Sequence, residues 1–194
     1  PFLLDGETSS TQRGKLGHLN PLGKGAAEGA AINPRGEPET ETHHLLDALL
    51  QRTAALLPLG GAGETFGGHK GYGYATMVEI LSSALQDGTF MTGLLGFDDE
   101  GHRQPYRLGH FFLAIDVGHF VDPAVAKAIT GSILRRLQNS EPAPGHDRIY
   151  VAGEKEYDTE QHRLANGIPA NENLLKKLRA MRDGLELRGY ELFG

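Results

Sequence analysis

The residues with most chemical promise are crowded into one stretch, Gly67-Gly68-His69-Lys70-Gly71-Tyr72-Gly73. Closely spaced glycines let a backbone approach a ligand, because no Cβ stands in the way. A helix-spaced apolar run follows at once (Met77, Ile80, Leu81, Ala84, Leu85), so the loop feeds a helix start. Free N–H groups and the positive dipole end at such a start favour anions. Lys70 adds a point charge for a phosphate, and the whole suits a nucleotide pyrophosphate or a ribose phosphate. The same residues also suit a tight structural turn with Lys70 merely solvated. Neither standard phosphate motif fits. A Walker A loop spanning Gly63 to Gly68 would need its lysine where His69 stands, and Thr76 fails to complete the dinucleotide fingerprint opened by Gly71-Tyr72-Gly73.

A second candidate is Gly153-Glu154-Lys155-Glu156, which closes a strand and opens a helix. In α/β sheets, ligands gather outside the carboxyl ends of strands, so a charged side chain here can meet a ribose hydroxyl or an amide. Equally, the acidic pair can simply complement the helix dipole. The histidines share no metal-ligand spacing. Asp116, His119 and Asp122 lie three apart, but they flank a strand end, where satisfied and capping aspartates are the commoner roles, so no metal is expected. With no cysteine, disulfides and thiolate zinc sites are excluded.

The elements that must hold these residues alternate in type. Phe2 to Asp5 reads as a short buried strand, already in progress where the chain opens, so the 194 residues are expected to be part of a longer protein. Residues 6–42 are rich in Gly, Pro, Asn and Glu without periodicity, and read as a long surface excursion. His43 to Leu57 has helical spacing, with Thr42 as N-cap and Pro58 as terminator. The Gly-rich loop covers 59–74, and the helix after it stops at Asp87-Gly88. Gly109 to Asp116 is nearly continuous in apolar residues and predicts a central strand. A helix from Pro123 to about Leu137 takes Asp122 as its cap. Arg148 to Ala152 predicts another strand, 156–166 and 171–187 predict helices, and Tyr190 to Phe193 an edge strand. The alternation argues for an α/β fold. A net charge of −6 argues against a nucleic-acid partner, and no apolar run reaches the length of a membrane span.

Three segments in order, FGGHKGYGYATMVEILSSAL, GHFFLAIDVGHF and RIYVAGEKE, resemble the malate/L-lactate dehydrogenase family of NAD(P)-dependent 2-hydroxy acid oxidoreductases, which includes L-sulfolactate dehydrogenases. The opening PFLLDGETSSTQRGK and the tail EQHRLANGIPANENLLKKL extend the resemblance over essentially the whole chain. It implies a non-Rossmann, L-sulfolactate dehydrogenase-like α/β sheet with packed helices, in agreement with the failed fingerprints. It also implies that three segments converge on NAD or NADP: Asp5, Gly6, Glu7, Thr8 and Ser9; the pair His69-Lys70; and Gly153-Glu154-Lys155. The residues alone point to the second and third of these and not to the first. Gly6 and Glu7 depart from the family's usual pattern after the aspartate, and Tyr74 stands where an aliphatic residue is more usual.

The family keeps its proton-donating histidine and its carboxylate clamp in an amino-terminal half to which nothing here corresponds. Residues 1–194 are therefore expected to be the cofactor-binding, carboxy-terminal part, with no catalytic residue assigned. The implied partners are that amino-terminal half, a small 2-oxo or 2-hydroxy acid, and a second copy in a cytoplasmic homodimer. The rivals are a non-catalytic nucleotide-binding remnant and a plain structural domain lacking the proton donor.

Overall fold

A computed structural model of the chain describes residues 2–98 and 100–189. It divides into two compact units, Gly6–Asp116, and Pro1–Asp5 with Val117–Gly194.

In the first unit, helix α1 (Arg13–Leu19) is followed by strand β1 (Ala31–Ile32), helix α2 (Thr42–Leu50), strand β2 (Ala55–Leu56) and helix α3 (Gly68–Ser83). β1 and β2 pair antiparallel, Ala31 opposite Leu56 and Ile32 opposite Ala55. Leu16 of α1 and Leu45 of α2 are fully buried, with Ala26, Ala30 and Ala31 beside them. Leu46, Leu49, Ala54 and Leu56 pack on this cluster. The expected surface excursion over 6–42 is thus corrected, because that stretch supplies most of the core. Periodicity overlooks it because a single leucine and three scattered alanines suffice once α2 brings Leu45 into contact.

α2 is shorter than its spacing predicts. Arg52 takes a positive φ of 62°, the chain turns, and Leu56 lies in a strand instead of a helix. Thr42 is not the N-cap: Glu41 occupies that place, while the buried Thr42 hydroxyl donates to the Lys24 carbonyl at 3.0 Å. α3 begins six residues before the expected end of the loop, with Gly68 and Gly71 inside it. Glycine costs about 1 kcal/mol per helical position relative to alanine, so tertiary packing overrides propensity here. Met77 and Ile80 of α3, members of the apolar run that follows the loop, are exposed.

The second unit carries helices α4 (Pro123–Gln138), α5 (Glu154–Asn166) and α6 (Glu172–Gly184). Asp122 caps α4 as expected, accepting from the Ala124 amide at 2.7 Å, and Asn171 caps α6 by accepting from Leu174. None of the three helices contributes a buried residue. The strands expected at 2–5, 109–116 and 148–152 do not form as strands. Among the described residues, the one backbone hydrogen bond joining the first and third of these is from the Leu3 amide to the Ala152 carbonyl, at 3.2 Å. A strand exists only when a neighbour supplies its ladder, which no local pattern can guarantee. The expected edge strand at 190–193 lies outside the described residues. No helix among the described residues is long and apolar enough to cross a membrane.

Candidate functional site

In the unit Gly6–Asp116, the loop before α3 is built by close backbone approach. A Cβ added at Gly60 would meet the backbone of Gly67 and Gly68, one at Gly68 the Gly61 carbonyl, and one at Gly71 the Leu59 carbonyl. Three glycines therefore serve to lay the loop directly on the first turn of α3. Three amides of that turn are spoken for: His69 donates to the Gly63 carbonyl at 3.2 Å, and Lys70 and Gly71 to the Gly67 carbonyl at 2.9 and 3.3 Å. The expectation that the N–H groups of this helix start stand free for an anion is thus corrected for His69, Lys70 and Gly71. What remains is the exposed Lys70 ammonium, which has no hydrogen-bond or ion-pair partner among the described residues.

Lys70 lines a cavity of about 510 Å³ with Glu64, Thr65, Phe66, His69 and Tyr74. A cation, a carboxylate that accepts from hydroxyls, and a phenol around a glycine-rich floor form a donor and acceptor set suited to a phosphorylated ribose. Thr8 and Ser9 stand at the foot of the same loop. The Thr8 carbonyl accepts from the Leu59 amide at 3.0 Å, and Ser9 bridges Pro58. The Ser9 hydroxyl lies 3.0 Å from the Glu7 carboxylate and 2.8 Å from the Thr11 carbonyl, so its proton is used within the segment. A Cβ at Gly6 would meet nothing, so packing does not demand glycine there.

In the other unit, Asp5, Gly153 and Lys155 line a cavity of about 330 Å³ together with Tyr150. Gly153, at φ 91°, adopts the left-handed backbone that favours glycine, and a Cβ there would sit 3.0 Å from that of Leu3. Lys155 Nζ lies 4.8 Å from the centre of the Tyr150 ring, and the Arg148 guanidinium carbon 4.2 Å from it. Glu154 faces inward on this turn. One carboxylate oxygen accepts from the Val151 amide at 2.7 Å, the other from Gln138 at 2.9 Å and Arg148 at 2.7 Å. Led by the Val151 bond, these contacts hold its pKa below the usual glutamate value against partial desolvation. Its charge braces the turn that presents Gly153 and Lys155.

Sequence reasoning passed over Tyr150, Arg148 and Gln138. The alternation Arg148-Ile149-Tyr150 was the available signal for the first two, since residues two apart share a face in extended chain. Nothing local marks Gln138. At the turn 97–103, Asp98, Glu100 and His102 bring their ligand atoms within 4.8 Å of one another. Asp98 is occupied in closing that turn, accepting from the amides of Glu100 and His102 and from Gln104.

The family model of malate/L-lactate dehydrogenases matches residues 1–179. A malate dehydrogenase of Pyrococcus horikoshii is 38% identical over 188 residues, covering 96% of this chain and 50% of its own. Among solved structures, the malate dehydrogenase of Entamoeba histolytica superposes with a TM-score of 0.86 at 35% identity, over 96% of this chain and 51% of that one. The sulfolactate dehydrogenase of Methanocaldococcus jannaschii gives a TM-score of 0.67 at 30% identity, over 96% and 49%. These likenesses agree with an α/β fold, and the chain spans about half the length of the relatives it matches.

Proposed function

This chain belongs to the malate/L-lactate dehydrogenase family, and we propose from that premise that it forms the nicotinamide-binding part of an oxidoreductase acting on a small 2-hydroxy acid or its 2-oxo acid. The observation that carries the proposal is the Lys70 ammonium, without a hydrogen-bond or ion-pair partner among the described residues, beside a glycine-floored cavity with Glu64 and Tyr74 on its wall. In this assignment Lys70 and His69 meet the phosphates of NAD or NADP, with Gly6, Glu7, Thr8 and Ser9 at the loop's foot. Asp5, Gly153 and Lys155 bind in the other unit, held in place by Glu154. When bound, the nicotinamide supplies or accepts the hydride; this chain's residues bind and orient it.

A 2-oxo acid also needs a proton donor and a cation for its carboxylate. We assign both to the half of the family fold that this chain does not match, and no residue here to either role. In keeping with the family, the sheet is taken as non-Rossmann and the whole enzyme as a cytoplasmic homodimer.

One observation favours a second reading. Gly60, Gly68 and Gly71 are each explained by intramolecular packing alone, as a purely structural loop would require. Titration of NADH by fluorescence separates the two. Lys70→Ala should weaken NADH binding by about ten- to a hundredfold, the size of a lost charge-assisted contact. Unchanged affinity removes the phosphate contact. Binding without turnover of pyruvate or oxaloacetate by the assembled protein leaves a nucleotide-binding remnant.

A further inference from the structure

Glu64 combines a fixed backbone with an unused charge. Its own carbonyl accepts from the Gly67 amide at 3.0 Å, and the carbonyl of Gly63 before it accepts from His69 at 3.2 Å. The main chain is thereby tied on both sides of the residue. Its carboxylate makes no hydrogen bond and no ion pair among the described residues. Lys70 is in the same condition. Its side chain runs back over Gly67, with Cδ 3.6 Å from the place of a Cβ on that glycine. Both charges border the cavity of about 510 Å³, and neither neutralises the other. Phe66 borders it too and is 86% exposed.

A carboxylate on the wall of a phosphate-binding cavity repels its ligand unless it faces a part that donates hydrogen bonds. The ribose of an adenine nucleotide is such a part. It carries two neighbouring hydroxyls, and a carboxylate has two oxygens that accept. Phe66 offers an exposed ring on which a purine can stack. Phe66, Glu64 and Lys70 therefore match the base, the sugar and the phosphate of one nucleotide. Glu154 shows what a bracing glutamate looks like in this protein: both of its carboxylate oxygens are used to hold its own turn. Glu64 holds nothing.

A phosphate on the ribose 2′-oxygen reverses the sign of the contact. It removes one donor and sets about two negative charges against the carboxylate. Lys70, the one lysine or arginine among the described residues that line the cavity, is already engaged by the phosphates common to both cofactors.

We propose that Glu64 selects the cofactor, accepting from the adenosine ribose hydroxyls and making this chain specific for NAD over NADP. The proposal rests on the reading above that the Lys70 cavity takes the phosphates of the dinucleotide.

Fluorescence titration of the full chain with NADH and with NADPH tests it. The unaltered chain should bind NADH at least about tenfold more tightly than NADPH, as an acidic residue at the ribose requires. Glu64→Gln keeps the shape and removes the charge. It should tighten NADPH about tenfold and weaken NADH about threefold, so that the two affinities become nearly equal. Phe66→Ala should weaken both about tenfold and leave their ratio unchanged. Both side chains are exposed, and an unchanged unfolding temperature in each variant checks that the loop is intact. A preference for NADPH overturns the role of Glu64 and leaves the nicotinamide-binding reading standing. So does a preference for NADH that survives Glu64→Gln, or a Glu64→Gln variant that loses both nucleotides equally. Binding of neither nucleotide by the unaltered chain overturns the inference and the reading beneath it together.

Discussion

Residues 13–57 and the three helices α4 to α6 are built from similar material and end differently. In the first region one leucine from each of two short helices meets three alanines, and a small core closes around them. In the second, α4 carries Val125, Ile129, Ile133 and Leu137 at successive four-residue steps, which is a complete apolar stripe, yet all four are exposed. The stripe is the stronger sequence signal and buries less. Amphipathic pattern states which face needs a partner; it does not state that the partner lies in the same chain.

The largest test of that contrast is truncation. Leu45→Ala should cost the unit Gly6–Asp116 about 2–5 kcal/mol, as for other fully buried leucines. Ile129→Ala should change stability by less than about 0.5 kcal/mol, as at an exposed surface position. Urea denaturation of each variant measures both, and equal costs would show that α4 is packed within this chain after all.

A smaller effect separates glycines that look alike on one helix. Gly71→Ala drives a methyl into the Leu59 carbonyl and should destabilise by about 1–3 kcal/mol, the usual range for overpacking. Gly73→Ala meets open space and should stabilise by up to about 1 kcal/mol through helix propensity. Thermal unfolding of the pair reads the difference, and equal signs would dismiss the close approach of loop and helix.

The smallest effect is one of pH dependence. Glu154 titrates below its ordinary value in the folded chain, so its carboxylate contributes stability above the usual glutamate range. That contribution is lost as pH falls through the lowered folded pKa. Glu154→Gln should flatten this acid limb while leaving the neutral-pH helix content of α5 unchanged. An acid limb that survives the substitution would remove Glu154 as the brace of the Gly153–Lys155 turn.

Much of the helical framework was legible in the chain. α4, with its aspartate cap and N-terminal proline, and the approximate spans of α5 and α6 follow from signals within one or two turns. The candidate site was legible in part. Glycine density and Lys70 marked the loop, and the end of the 148–152 segment marked Gly153 and Lys155. The braces were not. Gln138 reaches Glu154 across sixteen residues of sequence, and Gln86 reaches His110 across twenty-four, distances over which no periodicity operates.

By itself, then, the sequence determined that helices α4 to α6 form and where α4 begins, which faces are apolar, and that a lysine sits in the Gly-rich loop, because each depends on neighbours a few residues apart. Only the tertiary structure decided that 6–42 supplies a core, that α3 begins early at Gly68, that the first-turn amides serve the loop, and that 111–115 goes unpaired. Those outcomes depend on what chain arrives from elsewhere to fill a contact. A strand's hydrogen bonds and a helix's buried face are completed by a partner, and the pattern on one side records only that the partner is required.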